Sequence, residues 1–301
     1  MSKNTKKFII ILLLLVVGYF YDSLGNDLTS GDKKVFKDNE NDVQLKVDGS
    51  LNVYYLDVGQ ADSILLENNG SYMLIDAGNN NDGVKLVKYF KDMGISEFEY
   101  VIATHAHEDH IGGMDDILNS FLVKNFYMPD VVSTSKTFED VIIALEDKNM
   151  VFDTPEIGYK FTFGGSDFEV LHVGVEGEDL NDTSIVVRGV YGDNSFLFMG
   201  DATSNVEKKI LNKNIDSDVL KVGHHGSRYS SMISFLNKVS PSYSIISVGD
   251  DNSYGHPHSP TISNLERVGS KVYRTDIDGT VVVVSDGKEI SIKTMDTNLN
   301  G

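Results

Sequence analysis

Three of the chain's eight histidines fall within six residues, in Thr104-His105-Ala106-His107-Glu108-Asp109-His110-Ile111-Gly112-Gly113. Imidazole and carboxylate are the donors zinc prefers, and a more oxygen-rich set suits manganese. His105 and His107 stand two apart, so in an extended segment their rings point the same way. Asp109 and His110 follow where the chain curls toward a helix. The spacing offers two imidazoles to one cation and a carboxylate plus an imidazole to a second. A bare polar loop at a strand end is the plain alternative, and the number and spacing of donors speak against it.

An element must deliver these side chains to one place. Tyr100-Val101-Ile102-Ala103 reads as a buried strand, and Met114 to Leu118 as the start of an amphipathic helix after two glycines. The same arrangement recurs downstream. Asp201 follows the apolar strand Phe196-Leu197-Phe198-Met199 through Gly200, and His224-His225 follow the strand Asp218 to Val222. Asp201 could alternatively cap the helix that starts near Ser204. Asp57, Gln60 and Asp62 lie on the loop after the first strand, and Asp76 ends the third. His256 sits in a Tyr-Gly-His-Pro turn, from which it could donate to an oxyanion or protonate a leaving group. Ser227 and Arg228, directly after the histidine pair, could contact phosphate.

Between these points the pattern gives short strands from residue 51, helices at Val84 to Met93, Phe138 to Leu145, Val206 to Leu211, Ile233 to Val239 and Ile262 to Val268, and strand pairs around Gly164-Gly165 and Tyr191-Gly192-Asp193-Asn194. Strands in two sets with helices between predict two mixed sheets packed face to face with helices outside.

The N-terminus differs. Lys3, Lys6 and Lys7 precede an unbroken apolar run from Phe8 to Phe20. That order fits a signal peptide or signal anchor over residues 1–22, shorter than the roughly 20 apolar residues that span a bilayer. Residues 23–49 are polar and aperiodic and read as a linker. The body, 50–295, is then expected outside the cytoplasm or on the outer face of the membrane. No cysteine is present, which excludes disulfides and thiolate ligands. The formal net charge of −19 argues against a broad basic face for nucleic acid.

The histidine stretch, together with Tyr55-Leu56-Asp57-Val58-Gly59-Gln60-Ala61-Asp62-Ser63, Leu74-Ile75-Asp76-Ala77-Gly78, Met199-Gly200-Asp201, Leu220 to Ser227 and Tyr254-Gly255-His256-Pro257, resembles the metallo-β-lactamase superfamily, and within it the hydrolase domain of ComEC-type competence proteins. The resemblance implies a four-layer αββα sandwich and a two-metal site holding zinc or manganese. His105 and His107 would hold one ion, Asp109 and His110 the second, and Asp201 would bridge them. By the same likeness His224 is favoured over His225 as the last ligand. Asp109, His225 and His256 would then serve catalysis, with His225 facing substrate. Asp62 and Asp76 would accept hydrogen bonds from ligand imidazoles, and Asp57 and Gln60 would lie near them. Many superfamily members carry another histidine where this chain has Asn181, a departure that favours manganese at an oxygen-richer site. The implied activity is exported phosphodiester hydrolysis by a water activated by two divalent metal ions, with DNA, single-stranded DNA included, as the substrate. The alternatives are a cell-envelope phosphodiesterase acting on teichoic acid or a lipid head group, and a non-catalytic metal-binding module. A membrane contact would run through the N-terminal segment if it is not cleaved.

Overall fold

The computed structural model describes residues 49–250, 252–297 and 299. The expected signal or anchor segment, and the linker apart from Gly49, lie outside the described residues. Among these, no helix is long and apolar enough to cross a membrane.

Chain order runs β1 (Leu51–Tyr55), β2 (Ser63–Asn68), β3 (Ser71–Ala77), α1 (Gly83–Asp92), β4 (Glu97–Ile102), α2 (Glu108–Ile111), α3 (Met114–Ser120), β5 (Leu122–Tyr127) and α4 (Lys136–Asp147). It continues through β6 (Lys160–Phe163), β7 (Ser166–His172), β8 (Val186–Tyr191), β9 (Asn194–Phe198), α5 (Ser204–Ile210), β10 (Val219–Lys221), α6 (Ile233–Val239) and β11 (Tyr243–Ile246). The last elements are α7 (Ser259–Arg267), β12 (Lys271–Arg274), α8 (Thr275–Asp278), β13 (Thr280–Ser285) and β14 (Ile290–Met295).

The strands form two seven-stranded sheets, β14-β13-β1-β2-β3-β4-β5 and β12-β11-β10-β9-β8-β7-β6. Each is antiparallel through its hairpins and parallel where helices intervene: β3, β4 and β5 in the first sheet, β9 through β12 in the second. This is the predicted pair of mixed sheets. Alternation explains why the sheets stack. Val53, Tyr55, Ile64, Leu66, Met73 and Ile75 of the first sheet meet Phe168, Val170, Val187, Phe196, Phe198 and Val219 of the second in one core. The opposite face of the second sheet, with Leu197, Leu220 and Ile246, packs under α5, α6 and α7 through Val206, Phe235 and Leu265.

Observed bounds differ from expectation mainly at sheet edges. β4 starts at Glu97 and β5 at Leu122, because edge-proximal strands carry Glu99, Lys124 and Asn125, whose polarity hides the strand. Helix α8 is polar and reads as a loop in the sequence. Its Thr275 hydroxyl accepts from the Val248 N–H at 2.8 Å and donates to the Val248 carbonyl at 2.9 Å, fixing the end of β11.

Candidate metal centre

The loops after β1, β3, β4, β9, β10 and β11 all leave at the same end of the two sheets and meet there. Open α/β sheets place their sites in this position, outside the carboxyl ends of parallel strands.

The loop after β4 is held by close backbone packing. A side chain on Gly112 would place its Cβ 2.1 Å from the Asn79 carbonyl carbon and 2.2 Å from the Asn80 nitrogen. The double glycine is therefore what lets the α2 turn seat against residues 77–80. Asp76, itself in the left-handed region at φ 60°, accepts from the Thr104 N–H at 2.8 Å, the Thr104 hydroxyl at 2.7 Å and His110 Nδ1 at 2.8 Å. That bond turns His110 Nε2 inward. Thr104 went unmarked in the sequence, although a hydroxyl before a histidine cluster is a usable signal.

The loop after β9 passes Gly200 at φ 52°, where a Cβ would lie 3.0 Å from Thr104. Asp201 takes a hydrogen bond from no helix terminus: Thr203 caps α5 by accepting from the Asn205 N–H, which sets the capping alternative for Asp201 aside. The Asp201 N–H instead donates to Ser184 Oγ at 3.1 Å, and Ser184 donates to the Asn181 carbonyl at 2.7 Å.

Two clusters result. His105 Nε2 and His107 Nδ1 are 3.0 Å apart. Two nitrogens on one tetrahedral zinc, each about 2.0–2.1 Å from it, would be about 3.3 Å apart. The second cluster is Asp109, His110, Asp201 and His225, whose donor atoms all lie within 4.8 Å of one another. Asp201 Oδ1 is 3.3 Å from His110 Nε2 and 3.5 Å from His225 Nε2, and Asp109 Oδ2 is 3.3 Å from His225 Nε2. The His105 and His110 rings, 4.1 Å apart, join the clusters. Buried His110 Nε2, His225 Nε2 and Asp201 Oδ1 have no hydrogen-bond partner. Buried polar atoms without hydrogen-bond partners that converge from different strands are costly unless something occupies their centre, and a divalent cation suits their chemistry.

The electrostatics agree. Burial pushes His105 well below the ordinary imidazole value, helped by His110. Burial opposes charge on His110 too, yet Asp201, Asp76 and Asp109 together raise it well above that value. Asp201 is lifted by burial but driven well below the carboxylate range by His225, His110 and His105. The cluster thus holds ionised carboxylates against a strong demand for positive charge.

The two histidines after β10 point in different directions. Strand β10 ends at Lys221, and both His224 and His225 then adopt left-handed backbone, φ 53° and 50°, so strand alternation does not extend to them. His225 turns inward, its Nδ1 2.9 Å from the Ser247 carbonyl, while His224 Nε2 stays 3.9 Å from Asp201 Oδ2 with its side chain 21% exposed. His225, expected to face substrate, is 1% exposed and points into the cluster, with His224 on the solvent side.

His256 is brought to the rim, its ring 5.6 Å from that of His224 and 6.4 Å from that of His225. Burial and the neighbouring imidazoles push it down to about 4. It is therefore neutral near pH 7, which suits hydrogen bonding to an oxyanion. Gln60 braces this rim, accepting from the Gly249 N–H at 3.2 Å with its amide 3.5 Å from His256 Nδ1. Asp57 shapes its own turn, accepting from the Gly59 N–H at 3.3 Å. Ser227 is buried in its loop, and exposed Arg228 joins the rim through its N–H to His258 Nδ1 at 3.2 Å. Asp62 lies beneath His225, its Oδ1 3.5 Å from Nδ1. Asn181 keeps a buried side-chain oxygen without a partner.

A model of the metallo-β-lactamase superfamily matches residues 56–250. ComE operon protein 3 of Bacillus subtilis is 32% identical over 199 residues, covering 65% of this chain and 26% of that protein. Recombination protein 2 of Haemophilus influenzae is 31% identical over 235 residues, covering 76% and 28%. The chain spans little more than a quarter of the length of either relative. Among solved structures, the metallo-β-lactamase fold protein YhfI from Bacillus subtilis superposes with a TM-score of 0.52 at 12% identity, covering 78% of this chain and 100% of that one. That likeness speaks for the fold alone.

Proposed function

Because this chain belongs to the metallo-β-lactamase superfamily, we propose that it is a metal-dependent hydrolase of phosphodiester bonds, with DNA as the polymer. The observation that carries the reading is the meeting of His105, His107, Asp109 and His110 from the first sheet with Asp201 and His225 from the second. Similarity to competence and recombination proteins supports DNA as the substrate.

His105 Nε2 and His107 Nδ1 would hold one ion. Asp109, His110 Nε2 and His225 Nε2 would hold the other, with Asp201 between them. Divalent ions held there would polarise a scissile phosphate and lower the pKa of water. The chain's own residues supply the rest. Asp76 and the Ser247 carbonyl fix the tautomers of His110 and His225 by holding Nδ1. His224, with Nε2 toward solvent and Asp201, stands where a proton can be exchanged with the leaving oxygen. His256 and Arg228 on the rim orient the phosphate.

Export through the N-terminal segment is part of the same reading and places the hydrolase in the cell envelope. The net charge of −19 favours one second reading, a phosphodiesterase acting on a cell-envelope polymer or lipid head group, since an acidic chain gains little from counterion release on DNA.

The deciding experiment is elemental analysis of the purified chain followed by turnover of bis-p-nitrophenyl phosphate and single-stranded DNA with added zinc or manganese. Hydrolysis of both, abolished by chelator, is expected. DNA cleavage that survives chelation would discard the proposal, and hydrolysis of the small diester without DNA cleavage would move it to the envelope reading.

A further inference from the structure

A buried lysine beneath the candidate metal centre has no part in the ligand set. Lys221 lies in β10, in the middle of the second sheet, paired with Phe198 of β9 and Ile245 of β11. Its side chain is 0% exposed. Alternation puts it on the face of Val219, which packs in the inter-sheet core, while Leu220 and Val222 face the outer helices. A buried ammonium persists only when it is paired. Lys221 Nζ lies 2.7 Å from Asp62 Oδ2 and donates to the Val222 carbonyl at 3.1 Å. Asp62 belongs to the loop after β1, so this ion pair crosses from one sheet to the other.

The carboxylate it pairs with touches both halves of the second metal cluster. Asp62 Oδ1 is 3.5 Å from His225 Nδ1, and Asp62 Oδ2 is 4.0 Å from His110 Nδ1. The Asp62 N–H donates to the Asp109 carbonyl at 3.0 Å. Asp62 thus carries the Lys221 ammonium on one side and faces the two candidate ligand imidazoles on the other.

We infer that Lys221 is a positioning residue: its buried ion pair with Asp62 sets the separation between the two sheets beneath the second metal position and holds the His225 side chain at ligating distance from Asp109 and Asp201. This rests on the metal-centre reading. The Ser247 carbonyl holds His225 Nδ1 at 2.9 Å, and the Asp62 carboxylate packed 3.5 Å from the same nitrogen keeps the ring from swinging back toward the core.

The test is zinc titration of the full chain against a chromophoric chelator, comparing the wild type with Lys221→Met and with Lys221→Met/Asp62→Asn. The double variant removes both charges, so no carboxylate is stranded in the core. We expect each to lose about 10–100-fold in affinity at the Asp109–His110–Asp201–His225 position and to keep wild-type affinity at His105–His107, with the double variant's metal-free melting temperature close to wild type. If Lys221→Met does not fold, the double variant decides alone. A folded variant of either kind that binds zinc at the second position as tightly as wild type overturns the inference. A wild-type chain that binds no zinc removes the metal-centre reading itself, a result separate from any difference between variants.

Discussion

The two sheets contribute to the candidate metal centre in unlike ways. The first sheet sends His105, His107, Asp109 and His110 from a single loop, seated by Gly112 against the backbone of residues 79–80. The second sends Asp201 and His225 from separate strands, 24 positions apart in a numbering that gives no local hint of their meeting. Its ligands rest on buried charge, through Lys221 and Asp62, and on a loop held by Glu207. One half is a local motif fixed by shape. The other is a tertiary product fixed by electrostatics, and the two should fail differently.

The largest effect is expected where the halves share a residue. Asp201 faces His110 of the first sheet and His225 of the second. Replacing Asp201 with Asn removes the charge both depend on. Loss of an outer partner costs roughly 10–100-fold in metal affinity or activity, and a direct ligand should cost more. Diester turnover should fall by at least about 100-fold, with metal content reduced at both positions by elemental analysis. Near-normal metal content would break the picture of a shared carboxylate.

The next effect separates His225 from His224. His225→Ala should empty the second position while leaving His105–His107 loaded. His224→Ala should keep both metals and lower kcat by roughly 10²-fold, the lower end of what general acid–base groups contribute. Metal stoichiometry beside kcat for the pair reads this directly, and loss of metal in His224→Ala with retention in His225→Ala would reverse the assignment.

That reversal bears on how much of the site the sequence carries. The first sheet's candidate ligands are legible because they occupy one segment whose periodicity and glycines announce a strand, a turn and a helix. Asp201 is legible from its place at a strand end. The choice between His224 and His225 is not, because it depends on two consecutive left-handed residues after β10 ends at Lys221. Lys221 is the missed signal: a charge inside Val219-Leu220-Lys221-Val222, an otherwise apolar strand, asks for a buried partner. The fold was readable for the same reason as the first loop, since central strands are apolar runs, and α8 and the starts of β4 and β5 were hidden by polar residues.

Within the first half, shape should be unforgiving. Gly112→Ala puts a methyl group against backbone that cannot swing aside as a side chain can. The cost should be about 3 kcal/mol, the upper range for overpacking, read as a lowered melting temperature of the metal-free protein. The loss is one of shape and not of charge.

The second half should instead respond to pH, with the smallest effect of the four. Glu207 on α5 is 1% exposed and accepts from the N–H groups of Ser231 and Met232, the loop that follows the histidine pair. Burial raises its carboxyl to about 7 from an ordinary 4.5, more than those hydrogen bonds lower it. The folded state therefore binds this proton more tightly than the unfolded chain does. Its contribution is fully present below about pH 4.5 and is lost as pH rises through about 7, with a ceiling near 3 kcal/mol at about 1.36 kcal/mol per pKa unit. The realised change should be nearer 1–2 kcal/mol, because a loop that opens slightly lets water relieve the charge. Amide exchange at Ser231 and Met232 should speed up between pH 5 and 8 beyond the intrinsic trend, while the Gly112 amide, bound to the Gly78 and Glu108 carbonyls, should follow the intrinsic trend alone. Glu207→Gln, which keeps the shape without the titration, should abolish the difference between the two loops. If the difference persists in that variant, Glu207 is not its source.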